Sequence, residues 1–273
     1  MTELTLQELQ KVLLDIMLDV HEFCVEHDIN YSLAYGTLIG AIRHQGFIPW
    51  DDDADIMMSR PDYERFCATY HSHKYRLIYY GNDKSALACF ARVVDFERTH
   101  YQTERPWTSQ ESGVWLDIIP IDGAECQLQK YEKRYAKLKY WCWFVYKFRR
   151  QNHKNIKEDS LWSRTKTIVA RIIGVNGLVP FWGLQRMLKL ISKYPYLNSK
   201  YLCQCSIQDD GAILFLSEDF ASYKKIKFEG HDFMVIAGAD RFLRQLYGDY
   251  MVLPPKEEQK SHQWWIKFYW KDK

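Results

Sequence analysis

The chain has little glycine and little proline, 13 and 8 in 273 residues. That excludes a collagen-like repeat and a Pro/Gly-rich low-complexity chain. Cysteine is scarce and odd in number, seven in all. Cys203 and Cys205 form the only close pair, and no second pair stands at zinc-finger spacing. A disulfide mini-protein is therefore excluded, and all seven are expected as reduced thiols in a cytosolic compartment. The nine histidines include no HxxxH pair, which argues against a helical zinc site. No apolar run reaches the ~18 residues of a spanning helix. The longest, Ile172 to Leu184, is broken by Gly174, Asn176, Gly177 and Pro180. The opening segment MTELTLQELQ is polar and acidic, without a signal-peptide pattern. Internal repeats are absent. These absences lead to the expectation of a cytoplasmic protein.

What is present is an ordinary folded composition, 47% apolar and 26% charged. The length fits one large domain, or one domain with an appended subdomain, at roughly 100–200 residues per domain. Aromatics are abundant at 16%, with 10 Trp and 19 Tyr. Such rings fill cores and also build sites for bases, sugars and quaternary ammonium groups. The net charge of +2 hides an asymmetry. Between Lys130 and Arg171 stand 13 Lys and Arg against Glu132, Glu158 and Asp159, a net +10, so the remainder carries −8. A basic field of that size attracts anions, an anionic membrane surface among them.

The pattern predicts a first helix from a Thr5/Glu8 capping box, with a stripe at Leu9, Leu13, Ile16, Val20 and Phe23, to about His27. Tyr31 to Tyr35 reads as a buried strand ending at Gly36. Thr37 is expected to cap a short helix over Leu38 to Arg43. Asp53 to Met58 reads as a strand, followed by a helix that starts at Ser59-Arg60-Pro61-Asp62. Tyr75 to Tyr80, Leu87 to Phe96 and Val114 to Ile119 are further strands, the last stopped by Pro120 and an Asp122-Gly123 turn. From Glu125 to about residue 194 the texture is helical, basic and aromatic. Phe228 to Ile236 is strand-like around Gly230, Asp240 to Tyr247 is helical, and YGDYMVLPP is a loop. The expected fold is α+β: a mixed-sheet core with a helical insertion subdomain. Its boundaries are 1–124 for the first part of the core, 125–204 for the insertion and 205–273 for the part that completes the core.

Asp51, Asp52, Asp53 and Asp55 lie within five residues. Carboxylates so close repel one another unless solvated or offset by a cation. Trp50 before them and Ile56-Met57-Met58 after them argue for the edge of buried structure. Asp53 and Asp55, two apart on a strand, would share a face. Oxygen ligands so placed suit Mg²⁺ or Mn²⁺. Asp117, in the apolar run VWLDIIP, is costly unless paired or metal-bound. Two carboxylates on one strand and a third on a neighbour make a constellation for metal-dependent phosphoryl transfer. The Gly36-Thr37 turn of YGTLIG, opening a helix, offers N–H groups and a hydroxyl to a phosphate. Strand, Gly-Thr turn, helix and acidic strand follow the order of nucleotidyltransferase-like folds.

The run LAYGTLIGAIRHQGFIPWDDDADIMMSRPDYERF resembles the signature of the LicD family, phosphotransferases related to the fukutin-type proteins. VWLDIIPIDG is similar to its second block, and FEGHDFMV with LYGDYMVLPP and His262 to its third. Together the blocks span residues 31 to 262, outside the helical middle. Thr37 stands where the wider superfamily has serine, and Ala237-Gly238 replaces a proline-containing turn. The resemblance implies transfer of a phosphorylated alcohol, most often phosphocholine, from its CDP derivative to a sugar hydroxyl. The acceptor would be a surface glycan or its lipid-linked precursor, of teichoic acid, lipopolysaccharide or capsule type, and CMP would leave. It implies Asp53, Asp55 and Asp117 as catalytic Mg²⁺ ligands, with Asp51 and Asp52 behind them. Gly36 and Thr37 would hold phosphate oxygens.

Asp117 is also a candidate base for the hydroxyl proton, as are Asp52 and Asp51. Arg92 and Arg43 are candidate cations for the diphosphate. If the donor is CDP-choline, its ammonium group needs a cage of rings, and Trp107, Trp115, Tyr247 and Tyr250 are its candidates. His262 is a candidate acid or base set against a structural role. CDP-glycerol, CDP-ribitol or CDP-ethanolamine would suit the same chemistry. A DxD nucleotide-sugar glycosyltransferase has no use for the Gly-Thr turn or Asp117. A nucleotidyltransferase proper would release pyrophosphate, and a non-catalytic binder would not need the acids. No nucleic-acid partner is expected. The basic aromatic middle is either a solvated helical face or a peripheral contact at the inner face of the membrane.

Overall fold

The computed structural model describes residues 1–83, 86, 88–103, 113–151, 165, 175–204, 211–261 and 266–272, without the side chains of 146–151 and 175–178. Its strands are β1 (Ser32–Leu33), β2 (Asp55–Ser59), β3 (Arg76–Ile78), β4 (Ala91–Asp95), β5 (Thr99–Thr103) and β6 (Val114–Ala124). After the helical segment come β7 (Tyr201–Gln204), β8 (Phe215–Leu216), β9 (Tyr223–Phe228), β10 (His231–Ile236) and β11 (Ile266–Trp270). The main sheet runs β1-β2-β6-β4-β3, with β7 added to β6 and β8 to β7. Among the described residues of this sheet only β2 and β6 pair in parallel; the other pairs are antiparallel. The fold is mixed α+β, as the sequence pattern predicts.

Helix α1 (Leu6–Glu26) starts at the expected capping box, Thr5 Oγ1 accepting from the Glu8 N–H and the Glu8 carboxylate from the Thr5 N–H. Its stripe Leu9, Leu13, Ile16, Val20 and Phe23 is buried and packs on β4 and β6. Each such side chain contributes roughly 1.5–3 kcal/mol on leaving water. Helix α3 (Arg60–Thr69) starts at Ser59, whose hydroxyl accepts from the Asp62 N–H, and Pro61 lies in its first turn. It packs against β2 and β6.

Two local expectations are corrected. Pro120 does not stop its strand: β6 runs on to Ala124. Asp117 donates its N–H towards β2, to Ala54 O at 3.1 Å, so alternation points the Pro120 nitrogen to the opposite flank. There β4 ends opposite Ile118 and β7 begins opposite Ile121. The missing donor falls in that gap and costs no ladder bond. Thr37 is not a cap. Helix α2 (Tyr35–Arg43) begins two residues earlier, after Ala34, and the Thr37 hydroxyl accepts the Asp55 N–H at 2.9 Å.

The C-terminal residues return to this core. The β9–β10 hairpin turns through Glu229 and Gly230, at φ 49° and 79°, the left-handed pair that a tight two-residue hairpin requires. Ile236 donates its N–H to Ser32 Oγ at 3.0 Å, and Met234 to the Tyr31 hydroxyl at 3.3 Å. Helix α6 (Ala239–Tyr247) packs on α2, and β11 pairs with β5. Helices α4 (Leu128–Gln151) and α5 (Val175–Ile191) pack on each other around Tyr131, Tyr135, Leu138, Val145, Leu184, Met187 and Ile191. None of the six described cysteines forms a disulfide; Cys205 lies outside the described residues.

Candidate active site

The parallel register of β2 on β6 sets Asp55 opposite Asp117. The antiparallel register of β4 sets Arg92 opposite Asp117 from the other side. Three charged residues on three adjacent strands thus form one row, and residues opposite one another present their side chains to the same face. Arg92 Nε stands 2.8 Å from Asp117 Oδ1. The Arg92 guanidinium also lies 4.5 Å from the Trp115 ring centroid.

The strand begins at Asp55, so Asp53 lies in the segment that leads into it rather than on the strand. It remains close. Burial lifts the Asp55 carboxyl well above the usual range, and the charges of Asp53, Asp117 and Asp51 lift it further against the pull of Arg92. Asp51 is pushed up to about 9, first by burial and then by the charge and hydrogen bond of Asp53. Among the described residues, Asp51, Asp52 and Asp53 each offer a carboxylate oxygen within 4.8 Å of the others'. Hard oxygens that crowd at this cost fit a divalent cation of the Mg²⁺ or Mn²⁺ type.

The Gly-Thr turn borders this cluster. A Cβ on Gly36 would lie 2.8 Å from Asp51 Oδ2, so the turn needs glycine for the carboxylate to approach. Tyr35, just before it, has φ 46°, a strained backbone for a bulky residue. Its ring packs on Phe242 and its hydroxyl donates to Gln204 Oε1. Thr37 is buried, its oxygen engaged by the Asp55 N–H.

Other expected site residues have different company. Arg43 donates from Nη1 to the carbonyls of Tyr250 at 2.6 Å and Val252 at 3.3 Å, so it clasps the 248–252 loop. Trp115 is buried against Phe268 and faces Arg92. Tyr250 is buried, donates to Asp240 at 2.9 Å and lies beneath Arg244. Tyr247 is exposed. Trp107 and His262 lie outside the described residues.

Three supporting residues went unread in the sequence. Ser261 donates its hydroxyl to Asp52 Oδ2. Gln10, on α1, donates to Asp51 O at 2.9 Å. Glu229 accepts the Phe47 N–H at 3.0 Å and donates its own N–H to Gln45 O at 2.9 Å. Only Ser261 carried a signal, its place beside His262 in the third block. Ser261→Ala is expected to lower turnover about three- to tenfold and to cost roughly 1–3 kcal/mol of stability, since a hydrogen bond to a buried carboxylate is lost. Steady-state kinetics beside a urea melt would check it.

Sheet, uncapped α2 terminus and crowded carboxylates fit a transferase of nucleotidyltransferase-like build. Comparison with known proteins agrees. The family described as LicD/FKTN/FKRP, nucleotidyltransferase domain, matches residues 28–170. The lipopolysaccharide cholinephosphotransferase LicD of Haemophilus influenzae is 32% identical over 96% of this chain and 97% of its own length. An uncharacterised protein of Rickettsia typhi is 32% identical over 34% of this chain and 30% of its own. One from Rickettsia prowazekii is 48% identical over 18% and 19%. The chain belongs to the LicD family.

Proposed function

We propose that the protein transfers phosphocholine from CDP-choline to a sugar hydroxyl of lipopolysaccharide or its lipid-linked precursor, releasing CMP. The name of the full-length Haemophilus influenzae relative supports the cargo and the acceptor. The observation that carries the chemistry is the row Asp55–Asp117–Arg92, with Asp53 charge-coupled beside it.

Asp53, Asp55 and Asp117 would hold Mg²⁺, or Mn²⁺ in its place, with Asp51 and Asp52 behind them. When bound, the cation neutralises charge on the diphosphate and on the departing CMP oxygen. The protein's own groups do the rest. Arg92 stands at the row's end, in place to meet a diphosphate oxygen. The first-turn N–H groups of α2 favour an anion beside Gly36. Asp117 accepts the proton of the attacking sugar hydroxyl, and Asp52, steadied by Ser261, is the alternative acceptor. Trp115 and Tyr250 face guanidinium groups; Trp107, Trp115, Tyr247 and Tyr250 are the rings from which a trimethylammonium cage would be drawn.

The test is a panel of CDP-choline, CDP-ethanolamine, CDP-glycerol and CDP-ribitol with Mg²⁺ and a lipopolysaccharide acceptor. CMP should form fastest from CDP-choline, stop on chelation and return with added Mg²⁺. Turnover undiminished by chelation would refute the metal site, and release of free phosphocholine with the cytidylyl group left on the acceptor would refute the reaction.

A further inference from the structure

We propose that the aromatic end of the α4–α5 hairpin is a docking surface for an anionic lipid bilayer. The two helices share a ring cluster that overflows their core. Trp141 and Trp182 meet at 5.0 Å between centroids, Phe144 and Trp182 at 6.1 Å, and Tyr140 and Trp143 at 6.3 Å. Much of it is in solvent: Tyr140 is 55% exposed, Trp143 54%, Trp182 47% and Phe181 39%. Most of the large apolar side chains that a monomer leaves in water are scattered singly; four on one helical pair form a patch that asks for a partner.

The charges around the patch select that partner. Lys130, Lys133, Lys137 and Lys139 are exposed along α4, and Arg186 and Lys189 along α5. Lys147, Arg149 and Arg150 follow in the same sequence, within the segment that carries +10. The Arg186 guanidinium lies 5.0 Å from the Trp182 centroid. A second copy of so basic a face would be repelled. A duplex nucleic acid, its bases stacked inside, would satisfy the cations but leave the aromatic surface wet. Headgroups of an anionic leaflet meet the Lys and Arg, and the interface beneath them accepts Trp, Tyr and Phe. Among the described residues no helix is long and apolar enough to cross a membrane. The hairpin therefore lies on the lipid surface rather than through it. Gly183 supports this geometry: a Cβ there would stand 2.7 Å from Val145 Cγ2, so the two helices are held close and present one continuous face.

The inference is independent of the reaction proposed above, because its readout is partition and not turnover. The intact protein is sedimented with phosphatidylcholine vesicles, with and without phosphatidylglycerol, at low and high salt. Binding is expected only to the anionic vesicles, about tenfold or more weaker at high salt. Tyr140→Ser/Trp143→Ser should lower partition about tenfold, with an unchanged thermal melt. Lys130→Glu/Lys133→Glu/Lys137→Glu tests the charge arm at exposed positions of α4 and should abolish binding. Absence of co-sedimentation at low salt would overturn the proposal. So would charge-reversed protein that binds as the parent does, or a lipid-free dimer whose assembly the ring substitutions abolish.

Discussion

Asp55→Asn is expected to cut phosphocholine transfer roughly a thousandfold or more and yet to raise the melting temperature of cation-free protein. Both effects come from the same crowding. Asp55 is held among Asp53, Asp117 and Asp51, and burial and like charge together push its proton affinity far up. Removing one charge relieves a repulsion that only a cation would otherwise offset, the trade of stability for activity common at built sites. The sign with pH follows. Asp51 is pushed up to about 9 and Asp55 is raised in the same direction. Between the ordinary carboxylate range and the raised values the folded chain binds more protons than the unfolded one, so stability falls as pH rises through that window. The gain from Asp55→Asn should therefore be larger at pH ~8 than at ~5, and saturating Mg²⁺ should erase it. Asp117→Asn is the discriminating control. It should lose transfer as badly, but it also strips Arg92 of its 2.8 Å partner, so no stability gain is expected. CMP release and thermal melts in chelator at the two pH values are the measurements. Wild-type turnover by both variants would overturn the site.

Much of this arrangement was legible before any coordinates. The carboxylates and the Gly-Thr turn declare themselves because their chemistry is local: a run of acids cannot be bland at the edge of an apolar strand. Helix α1 was legible for a similar reason, as its cap and stripe are short-range patterns. What stayed hidden depends on pairing. The Arg92–Asp117 contact follows from the registers of β4 and β2 on β6, which no local pattern specifies. The passage of β6 through Pro120 depends on which neighbour ends where. Thr37 looked like a cap because hydroxyls cap helices, whereas here a strand N–H claims it first. Gln10 and Ser261 reach the acidic segment, and Glu229 the Gln45–Phe47 stretch before it, from distant parts of the chain; only Ser261, beside His262, had a local signal of that reach. Strands β5 and β11 were missed too, each a short segment whose partner lies far along the chain.

The largest effect on stability is expected away from the chemistry, at Arg134. Its side chain is 3% exposed and pairs at 3.0 Å with Glu125, 4% exposed. The same guanidinium donates to Gly123 O at 3.1 Å and Leu190 O at 3.2 Å and touches Cys203 Sγ at 3.3 Å. One α4 side chain thereby joins the end of β6, the last turn of α5 and β7. Arg134→Met would leave Glu125 buried with its charge uncompensated, and the expected loss is ~3–5 kcal/mol. Asp117 lies at the other part of β6, with the β2 register between, so the folded fraction should keep near-normal turnover. The companion Arg134→Met/Glu125→Leu removes both charges and should recover most of the loss, because the pair's worth is small once its desolvation is counted. Denaturant melts of the two variants decide between these outcomes. A double variant as unstable as the single one would mean that Arg134 acts through its carbonyl contacts and not through the ion pair. Hydrogen exchange should locate the single variant's loosening in α4 and α5 while β2 and β4 stay protected, because Arg134 joins the helical hairpin to the end of β6 and not to the row that holds the acids.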